Sequence, residues 1–433
     1  MFGTFVQSIV TFTDAIFVSE LGDVAIGAFG NGSLFYVSLF MLCRGLSDGT
    51  QIEIARLNGG GKHAAIGQTL FNAQVYQLFL SSILFSFLVI FGEAIIYALS
   101  ESDDIAGAMT AFIKVRGWGL FFAAQQMTLV GFFVGLGRTN IILFSALLIA
   151  LCNVLLDYLL IHGNWGFPEM GLIGAPIASS TAEFIGFLFL LLYLLKSKAF
   201  KQYQYFIGHL KVKLKQYIPL LKLSFPLMAQ GVVSLSTWLV FFTMIEHMGK
   251  ESLETAQNIR YMYFLAFVPI FGFGAATRTI VSTLVGENNQ VKISIVQKRI
   301  ILLSFLFTVI FFHGSLLYPE ALIRLIDQNP TIHPKVLSDS IYILQFVSGS
   351  IFMYSIIVVF FHSVAGLGKT SISFGIELLA ILFYLIACYF FIEKWQWDIK
   401  FVWWIEYIYF GALGVFSFIY LLYYRKKYIL NES

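Results

Sequence analysis

Charge is what this sequence has least of. Only 12% of its 433 residues are Asp, Glu, Lys or Arg, whereas 58% are hydrophobic and the mean hydropathy is +0.82. A soluble globular domain needs about 25% charged residues to cover its surface, so this composition excludes one. The formal net charge of +3 is small and gives no support for a nucleic-acid partner. The lipid bilayer is the expected partner, and the chain is predicted to be a polytopic membrane protein.

Cysteine, clustered metal ligands and a secretory leader are also missing. The three cysteines, Cys43, Cys152 and Cys388, lie far apart in apolar runs, so we expect free buried thiols. The histidines are scattered, without the paired His-x-x-Glu pattern or Asp-rich loop that a metal-dependent enzyme would need. The first apolar run has no basic leader and no small-residue cleavage site, so no cleavable signal sequence is expected. We predict no cofactor and no enzymatic activity.

Long apolar runs, by contrast, fill the chain. A helix needs about 20 apolar residues to cross ~30 Å of hydrocarbon, and the sequence contains a succession of runs of that length or more. The predicted fold is therefore all-α. The twelve predicted spans are residues 1–19, 27–52, 67–99, 108–133, 139–162, 171–195, 223–248, 257–285, 293–318, 338–364, 370–392 and 400–424.

The basic residues predict the orientation of these spans. Counted from a cytoplasmic N-terminus, 17 Lys and Arg fall in inner loops and 8 in outer loops, among them Lys114 and Arg116, while Arg44 and Arg278 lie within spans. Positive loops stay on the cytoplasmic side, so both termini are expected in the cytoplasm of a plasma-membrane protein.

The chain also contains an internal repeat. Gly135-Leu-Gly-Arg-Thr139 recurs as Gly366-Leu-Gly-Lys-Thr370, an offset of 231 residues (366 − 135), and Leu21-Gly22 matches Met248-Gly249 at an offset of 227 (248 − 21). Six spans per repeat is an even number, so the two halves are parallel repeats, whose binding sites lie near the interface between halves. The predicted domains are a first lobe at 1–195, a basic cytoplasmic linker at 196–222, a second lobe at 223–424 and a cytoplasmic tail at 425–433.

The start of the first lobe is irregular. Pro226 opens the second lobe, and the 227 offset maps it to position −1 (226 − 227), before Met1. Either residues are missing before Met1 and the first helix is truncated, or the first span is short and the bilayer thins around it.

Two aspartates break the repeat. Asp157 corresponds to Cys388, Asn153 to Tyr384 and Asp14 to Phe241. A carboxylate inside a span costs ~2.5 to 3.5 kcal/mol on insertion scales, so one found in only one of two equivalent halves marks a functional site.

Depth along the helices brings these polar groups to one level. Asp14 lies six residues, roughly 9 Å, from Glu20 at the outer end of its span, and Asp157 lies roughly 7 to 8 Å from the outer end of the fifth. Asn153 is one turn below Asp157 on the same helix face. Ser179 and Thr181 enter the sixth span to a similar depth. These groups are predicted to face one cavity of the first lobe.

Such a pocket can bind a proton or a metal cation. Two neighbouring carboxylates in low dielectric do not both stay ionised without compensation, so either one carries a proton or a cation lies between them. Hard cations prefer oxygen ligands of the kind that Asp, Asn, Ser and Thr provide. The alternative for Asp14 and Asp157 is that they cap helix ends or pair with Arg44.

The motifs together resemble those of the multidrug and toxic compound extrusion (MATE) transporters. They are an Asp near the outer end of the first span followed by Phe17-Val-Ser-Glu-Leu-Gly22, then Gly135-Leu-Gly-Arg-Thr-Asn140, Asn153-x-x-x-Asp157-Tyr-Leu-Leu-Ile161, and Gly171-Leu-Ile-Gly-Ala-Pro-Ile-Ala-Ser179. The resemblance implies a V-shaped pair of six-helix bundles that exports organic cations or other amphipathic small molecules, as a monomer, in exchange for H⁺ or Na⁺.

The resemblance also implies a first-lobe cation site. Matched motif to motif, it consists of Asp14, Asn153, Asp157 and Ser179, with Na⁺ as a possible metal at the first three. Ser179 stands where Thr is common in the family, and Pro176 interrupts a small-residue run. The second-lobe positions that are acidic in some members are Ser234 and Tyr354 here, which argues against a second-lobe cation site.

Other intramembrane charges are candidates for accessory roles. Glu183 lies one turn beyond Ser179 and either extends the site, binds a cationic substrate or pairs locally. Arg44 is expected as a counter-ion, and Glu377 and Arg278 are candidates for a contact between lobes. Two alternative functions stay open: a lipid-linked saccharide flippase of the same superfamily, and a polytopic membrane enzyme.

Overall fold

The structure is a computed structural model. It describes residue 10 and residues 13–100, 102–203, 205, 214–326 and 333–428. Nearly all of these residues are helical, and the described part contains no strand. The chain forms two compact units, Phe2–Val232 and Val233–Ser433, whose boundary falls inside one long helix.

Fifteen α-helices are described. The helix at 13–19 is α1, and the others are α2 (Asp23–Gly59), α3 (His63–Leu99), α4 (Asp103–Gly135), α5 (Asn140–Leu160), α6 (Gly174–Lys196), α7 (Leu214–Glu246), α8 (Lys250–Gly286), α9 (Ile293–Phe312), α10 (Gly314–Leu317), α11 (Pro319–Ile326), α12 (Pro334–Gly366), α13 (Thr370–Cys388), α14 (Ile399–Val402) and α15 (Trp404–Tyr428).

Eleven helical segments of the described part are long and apolar enough to cross a bilayer. They coincide with the second to twelfth predicted spans, which confirms the all-α polytopic fold. The helices extend beyond the predicted apolar runs at both ends in several cases; α2 has 37 residues where the run has 26. Most of the predicted first span lies outside the described residues, as do most of residues 204–213 and the end of the predicted tail.

The repeated glycines adopt matching backbone conformations. Gly22 and Gly249 precede α2 and α8 with φ angles of 98° and 103°, and Gly137 and Gly368 follow α4 and α12 with φ angles of 70° and 76°. Positive φ is strained for most residues with a Cβ atom, so glycine is favoured at each of the four turns. The repeat seen in the sequence therefore corresponds to a repeat of turn geometry.

The beginning of the predicted linker packs against the first unit. A 3₁₀-helix at Lys198–Tyr203 buries Phe200 and Tyr203 in a cluster with residues of α2, α3, α4 and α6. The Tyr205 phenol donates a hydrogen bond to Gln74 of α3, and burial raises the pKa of Tyr205 to about 12. This end of the linker is thus attached to the helices it follows.

The last two spans are irregular. After α13 the chain forms one turn of π-helix at Tyr389–Lys394, and a break at Trp403 separates the short α14 from α15. π-Turns are frequent at functional sites. In this protein the break places Glu406 in the first turn of α15.

Candidate functional site: a buried carboxylate cluster on α1, α5 and α6

The fifth helix has its polar residues inside and its apolar residues outside. Ser145, Asn153 and Asp157 are fully buried, and their spacing by multiples of four places them on one face. On the opposite side Leu151 is 71% exposed. In a bilayer, an exposed apolar face meets lipid and a buried polar face meets protein, so α5 directs an amide and a carboxylate towards α1 and α6.

Small residues let α6 approach α5 closely. A Cβ atom at Gly174 would lie 2.9 Å from the main-chain nitrogen of Ile161, and one at Gly186 would lie 2.4 Å from the Ile149 side chain. Ala178 and Ala182 are fully buried between these two glycines. Small residues at such spacing are typical of close helix pairs in membranes, and this pair positions Ser179 opposite Asn153.

Three side chains from three helices are joined by hydrogen bonds. Ser179 Oγ donates to Asp14 Oδ2 at 3.4 Å, and Asn153 Nδ2 donates to Ser179 Oγ at 3.3 Å. Asp14 is 6% exposed and Asn153 is fully buried. The structure therefore brings together Asp14, Asn153 and Ser179, which the sequence places up to 165 residues apart.

Asp157 completes the cluster. It is fully buried, and its carboxyl group lies close enough to that of Asp14 for the two to interact. Among the described residues, neither carboxylate oxygen of Asp157 is hydrogen-bonded by the usual distance criteria, and the same is true of Asp14 Oδ1 and Asn153 Oδ1. Buried polar atoms nearly always have a hydrogen-bond partner. These four oxygen atoms are acceptors beside two carboxyl groups, so a proton or a cation is the partner that their chemistry favours.

The donor set fits a sodium ion in type. Carboxylate, amide and hydroxyl oxygens are hard ligands, and all four side chains offer oxygen. In the described part of the chain, no group of three or more His, Cys, Asp or Glu side chains is placed to hold a metal, so a transition metal has no ligand cluster there. The arrangement can share a proton between two carboxyls or place a monovalent cation between them.

A buried ion pair lies beside this cluster. Arg116 of α4 donates from Nη2 and Nη1 to the two carboxylate oxygens of Glu183 at 2.6 Å and 2.7 Å, and from Nη1 to Ser180 Oγ at 3.2 Å. Its guanidinium stacks 4.1 Å above the ring of Tyr36. Arg116 is also close enough to Asp14 for a Coulomb interaction, so the pair belongs to the electrostatic surroundings of the cluster.

This pair corrects one part of the sequence analysis. Arg116 was counted among the outer flanks, but its side chain is 11% exposed inside the helical bundle. Lys114, two residues earlier, is 59% exposed and pairs with Glu93 instead. Positions two apart on a helix face different directions, which explains why one cation is at the surface and the other inside. Glu183 pairs locally, one of the three roles considered for it.

Thr181 and Arg44 are the remaining candidates of the first half. Thr181 is partly buried and follows Ser179 by two residues, about 200° around the helix. Arg44 is partly buried in α2.

The equivalent place in the second half is aromatic. Phe241 and Tyr384, which correspond to Asp14 and Asn153, are buried with their ring centroids 5.8 Å apart. The hydrogen-bonded polar cluster of the first half is thus replaced by ring packing. The two halves share their turn geometry but differ in the buried side chains at this place, which are polar in the first half and aromatic in the second.

Charge is nevertheless present in the second half, at positions that the repeat does not mark. Glu377 is 4% exposed and accepts hydrogen bonds from Ser234 and Tyr409, both in its own unit. Arg278 is 7% exposed in α8. Glu406, 2% exposed in α15, was not singled out by the sequence.

Comparison with known proteins assigns the family. The MatE family model matches residues 1–159 and 226–390, which include Asp14, Asn153 and Asp157. A probable multidrug resistance protein NorM of Synechocystis sp. is 27% identical over 78% of this chain and 74% of its own length. A probable multidrug resistance protein NorM of Thermotoga maritima is 25% identical over 75% of this chain and 70% of its own length.

A solved structure shows the same fold. The outward-facing conformation of a multidrug resistance MATE family transporter of the MOP superfamily superposes with a TM-score of 0.88, at 17% identity, over 99% of this chain and 93% of that one. With the helices, the repeat and the family model in agreement, the chain belongs to the MatE family of multidrug and toxic compound extrusion proteins and is a multi-pass membrane transporter, not an enzyme.

Proposed function

We propose that this protein is a secondary active antiporter that exports organic cations or other amphipathic small molecules in exchange for H⁺ or Na⁺. The names of its relatives refer to multidrug resistance, which supports small organic substrates. The proposal includes a plasma-membrane location, cytoplasmic termini and function as a monomer of two six-helix lobes joined by the linker at 196–222.

The cluster around Asp157 carries the proposal. A buried carboxylate without a cationic partner of its own is costly in hydrocarbon, and Asp157 faces a second carboxylate in Asp14. Arrival of H⁺ or Na⁺ neutralises this repulsion, and departure restores it. The ion therefore binds more tightly to a state in which the two carboxyl groups are close than to one in which α1 and α5 hold them apart, and such a difference in affinity is the requirement for driving a conformational change.

The transport cycle follows from this coupling. In the outward-open state the ion binds Asp14 and Asp157, with Asn153 and Ser179 as further ligands or hydrogen-bond partners. Neutralisation lets α1 shift against α5 and α6, and substrate is released. The lobes then exchange to the inward-open state, where the ion leaves and new substrate binds.

The test is efflux from proteoliposomes that contain a fluorescent organic cation, ethidium. A pH gradient and a Na⁺ gradient are imposed separately, so that the driving ion is identified. Asp157→Asn removes the charge with little change in size and should abolish ion-driven efflux. Asp23→Asn, at an exposed carboxylate in the first turn of α2, is the matched control and should transport normally.

Two outcomes would contradict the proposal. Ion-driven efflux at the wild-type rate in a correctly folded Asp157→Asn protein would exclude the cluster as the coupling site. Failure of both gradients to drive ethidium, combined with movement of a fluorescent lipid-linked saccharide, would favour the flippase alternative.

A further inference from the structure

Glu406 is a buried acid without a basic partner in the second half. It is 2% exposed, and among the described residues no Lys, Arg or His forms an ion pair with it; the nearby Lys400 pairs with Asp339 of α12 at 2.8 Å. Its Oε1 accepts a hydrogen bond from the Tyr384 hydroxyl at 3.4 Å. A charge buried in this way must be paired or neutralised.

The groups that face Glu406 are all neutral when protonated. They are Tyr263 from α8, Tyr384 and Cys388 from α13, and Tyr409 from its own helix. From α12, Ser350 reaches this region through its hydrogen bond with Tyr263. Glu377 of α13 is linked to this group through Tyr409, whose hydroxyl donates a hydrogen bond to it at 3.4 Å, and it adds a negative charge rather than a countercharge.

The local structure accommodates both forms of the acid. Surrounding aromatic rings favour the neutral carboxyl, because they offer it no countercharge. Glu406 also lies in the first turn of α15, where the helix dipole favours a negative charge. Beside it, the Nε1 donor of Trp403 is buried and has no hydrogen-bond partner in the described part of the chain. A group stabilised in two protonation states can cycle between them.

The position of Glu406 matches the aspartate cluster of the first half. Tyr384, its hydrogen-bond donor, corresponds to Asn153 (384 − 153 = 231). Trp403 packs edge-on against Phe241, which corresponds to Asp14, with ring centroids 5.5 Å apart. The acid thus lies at the place of the cluster in the repeat, on α15, the helix that corresponds to α6.

A polar cavity lies close along the chain. Its volume is about 320 Å³, and its wall includes Glu251, Lys335, Asp339, Glu393, Asp398 and Ile399. Ile399 begins α14, and Glu406 follows seven residues later in the first turn of α15, beyond the break at Trp403.

From these observations we infer that Glu406 is a second proton-binding residue of the transport cycle, in the second half and reached through this cavity. The inference rests on the proposed antiport. It assigns the second half a proton site of its own, at a position the repeat alone would leave empty. Each cycle then protonates and deprotonates Glu406, as H⁺ adds to and leaves one carboxylate oxygen.

Infrared difference spectroscopy on the purified protein measures the protonation state of the Glu406 carboxyl group directly. We expect protonated-carboxyl C=O absorption at neutral pH, with one component that disappears on alkalinisation, is missing in Glu406→Gln and persists in Glu320→Gln. Glu320 of α11 has a side chain 57% exposed and lies outside the cavity wall, which makes it the control. Glu406→Asp retains an acid and should show a shifted, titrating band, so the test stands even if the glutamine variant does not fold.

Transport measurements test the role of Glu406 in the cycle. In proteoliposomes under a pH gradient, loss of one exchanged proton lowers the limiting substrate gradient about tenfold per pH unit. Glu406→Gln should show this loss and Glu320→Gln should not. A wild-type protein without ion-driven efflux would overturn the antiport and this role with it. A wild-type protein with ion-driven efflux, alongside a Glu406→Gln protein with the same limiting gradient, would overturn this inference alone, as would a band at Glu406 that never titrates.

Discussion

The Arg116–Glu183 pair allows a quantitative prediction of stability. Its side chains are 11% and 16% exposed, its contacts are 2.6 Å and 2.7 Å long, and it is bidentate. Two unit charges ~4 Å apart interact by about 4 kcal/mol at an effective dielectric constant of about 20. Removal of one partner leaves the other charge buried and unpaired, which costs about 3 to 5 kcal/mol.

Each single replacement, Arg116→Leu or Glu183→Leu, should therefore destabilise the folded protein by about 3 to 5 kcal/mol. The double replacement should recover most of that loss, because it leaves no lone charge. Lys114→Met breaks the neighbouring pair with Glu93, whose side chains are 59% and 57% exposed, and should cost about 0 to 1 kcal/mol.

Thermal unfolding of detergent-solubilised protein, followed by size-exclusion chromatography after heating, ranks the four variants. A double variant as unstable as the sum of its singles would refute the reasoning, because the two side chains would then contribute independently. A loss at Arg116 no larger than that at Lys114 would refute it as well, since burial would have no effect.

Three further predictions concern the packing that supports the site. Ser179→Ala removes the link between Asp14 and Asn153 and should cost about 1 kcal/mol and weaken binding of the coupling ion, whereas Thr181→Ala should leave ion binding, measured by isothermal titration, unchanged. Gly174→Ala places a Cβ atom 2.9 Å from main-chain atoms of the α5 terminus, so we expect a loss of about 1 to 3 kcal/mol in thermal unfolding and slower efflux; full stability would contradict the close approach. Gly67→Ala places a Cβ atom 2.0 Å from a main-chain oxygen of the linker's 3₁₀-helix and should speed trypsin cleavage of the linker, while Gly92→Ala, which meets nothing nearer than 3.9 Å, should not.

The helices and turns could be predicted from sequence because their causes are local. Apolar runs of bilayer length predict spans, and Gly22 and Gly249, matched in the repeat, adopt matching positive φ angles in the structure. The grouping of Asp14, Asn153 and Ser179 was also accessible, since residues at equal depth on adjacent spans can meet. For these features, composition and spacing carry the necessary information.

The partners of buried charges could not be predicted in the same way. Lys114 and Arg116 look alike in sequence, and only the rotation of α4 about its axis decides which one is inside. Glu406 was missed for a different reason: it lies at a break between α14 and α15, and its relation to Tyr384 depends on how α13 and α15 pack. Both facts depend on tertiary structure rather than on the local pattern.

The inverted polarity of α5 has a consequence for biogenesis. The helix contains 13 Leu, Ile, Val and Phe residues, which together favour membrane insertion by about 4 to 8 kcal/mol, against about 2.5 to 3.5 kcal/mol for one central Asp. Its hydrophobic surplus is enough to carry Asp157 into the bilayer before α6 has been synthesised. Burial of Asp157 against α1 and α6 removes the carboxylate from lipid, and this burial contributes to the assembly of the first half.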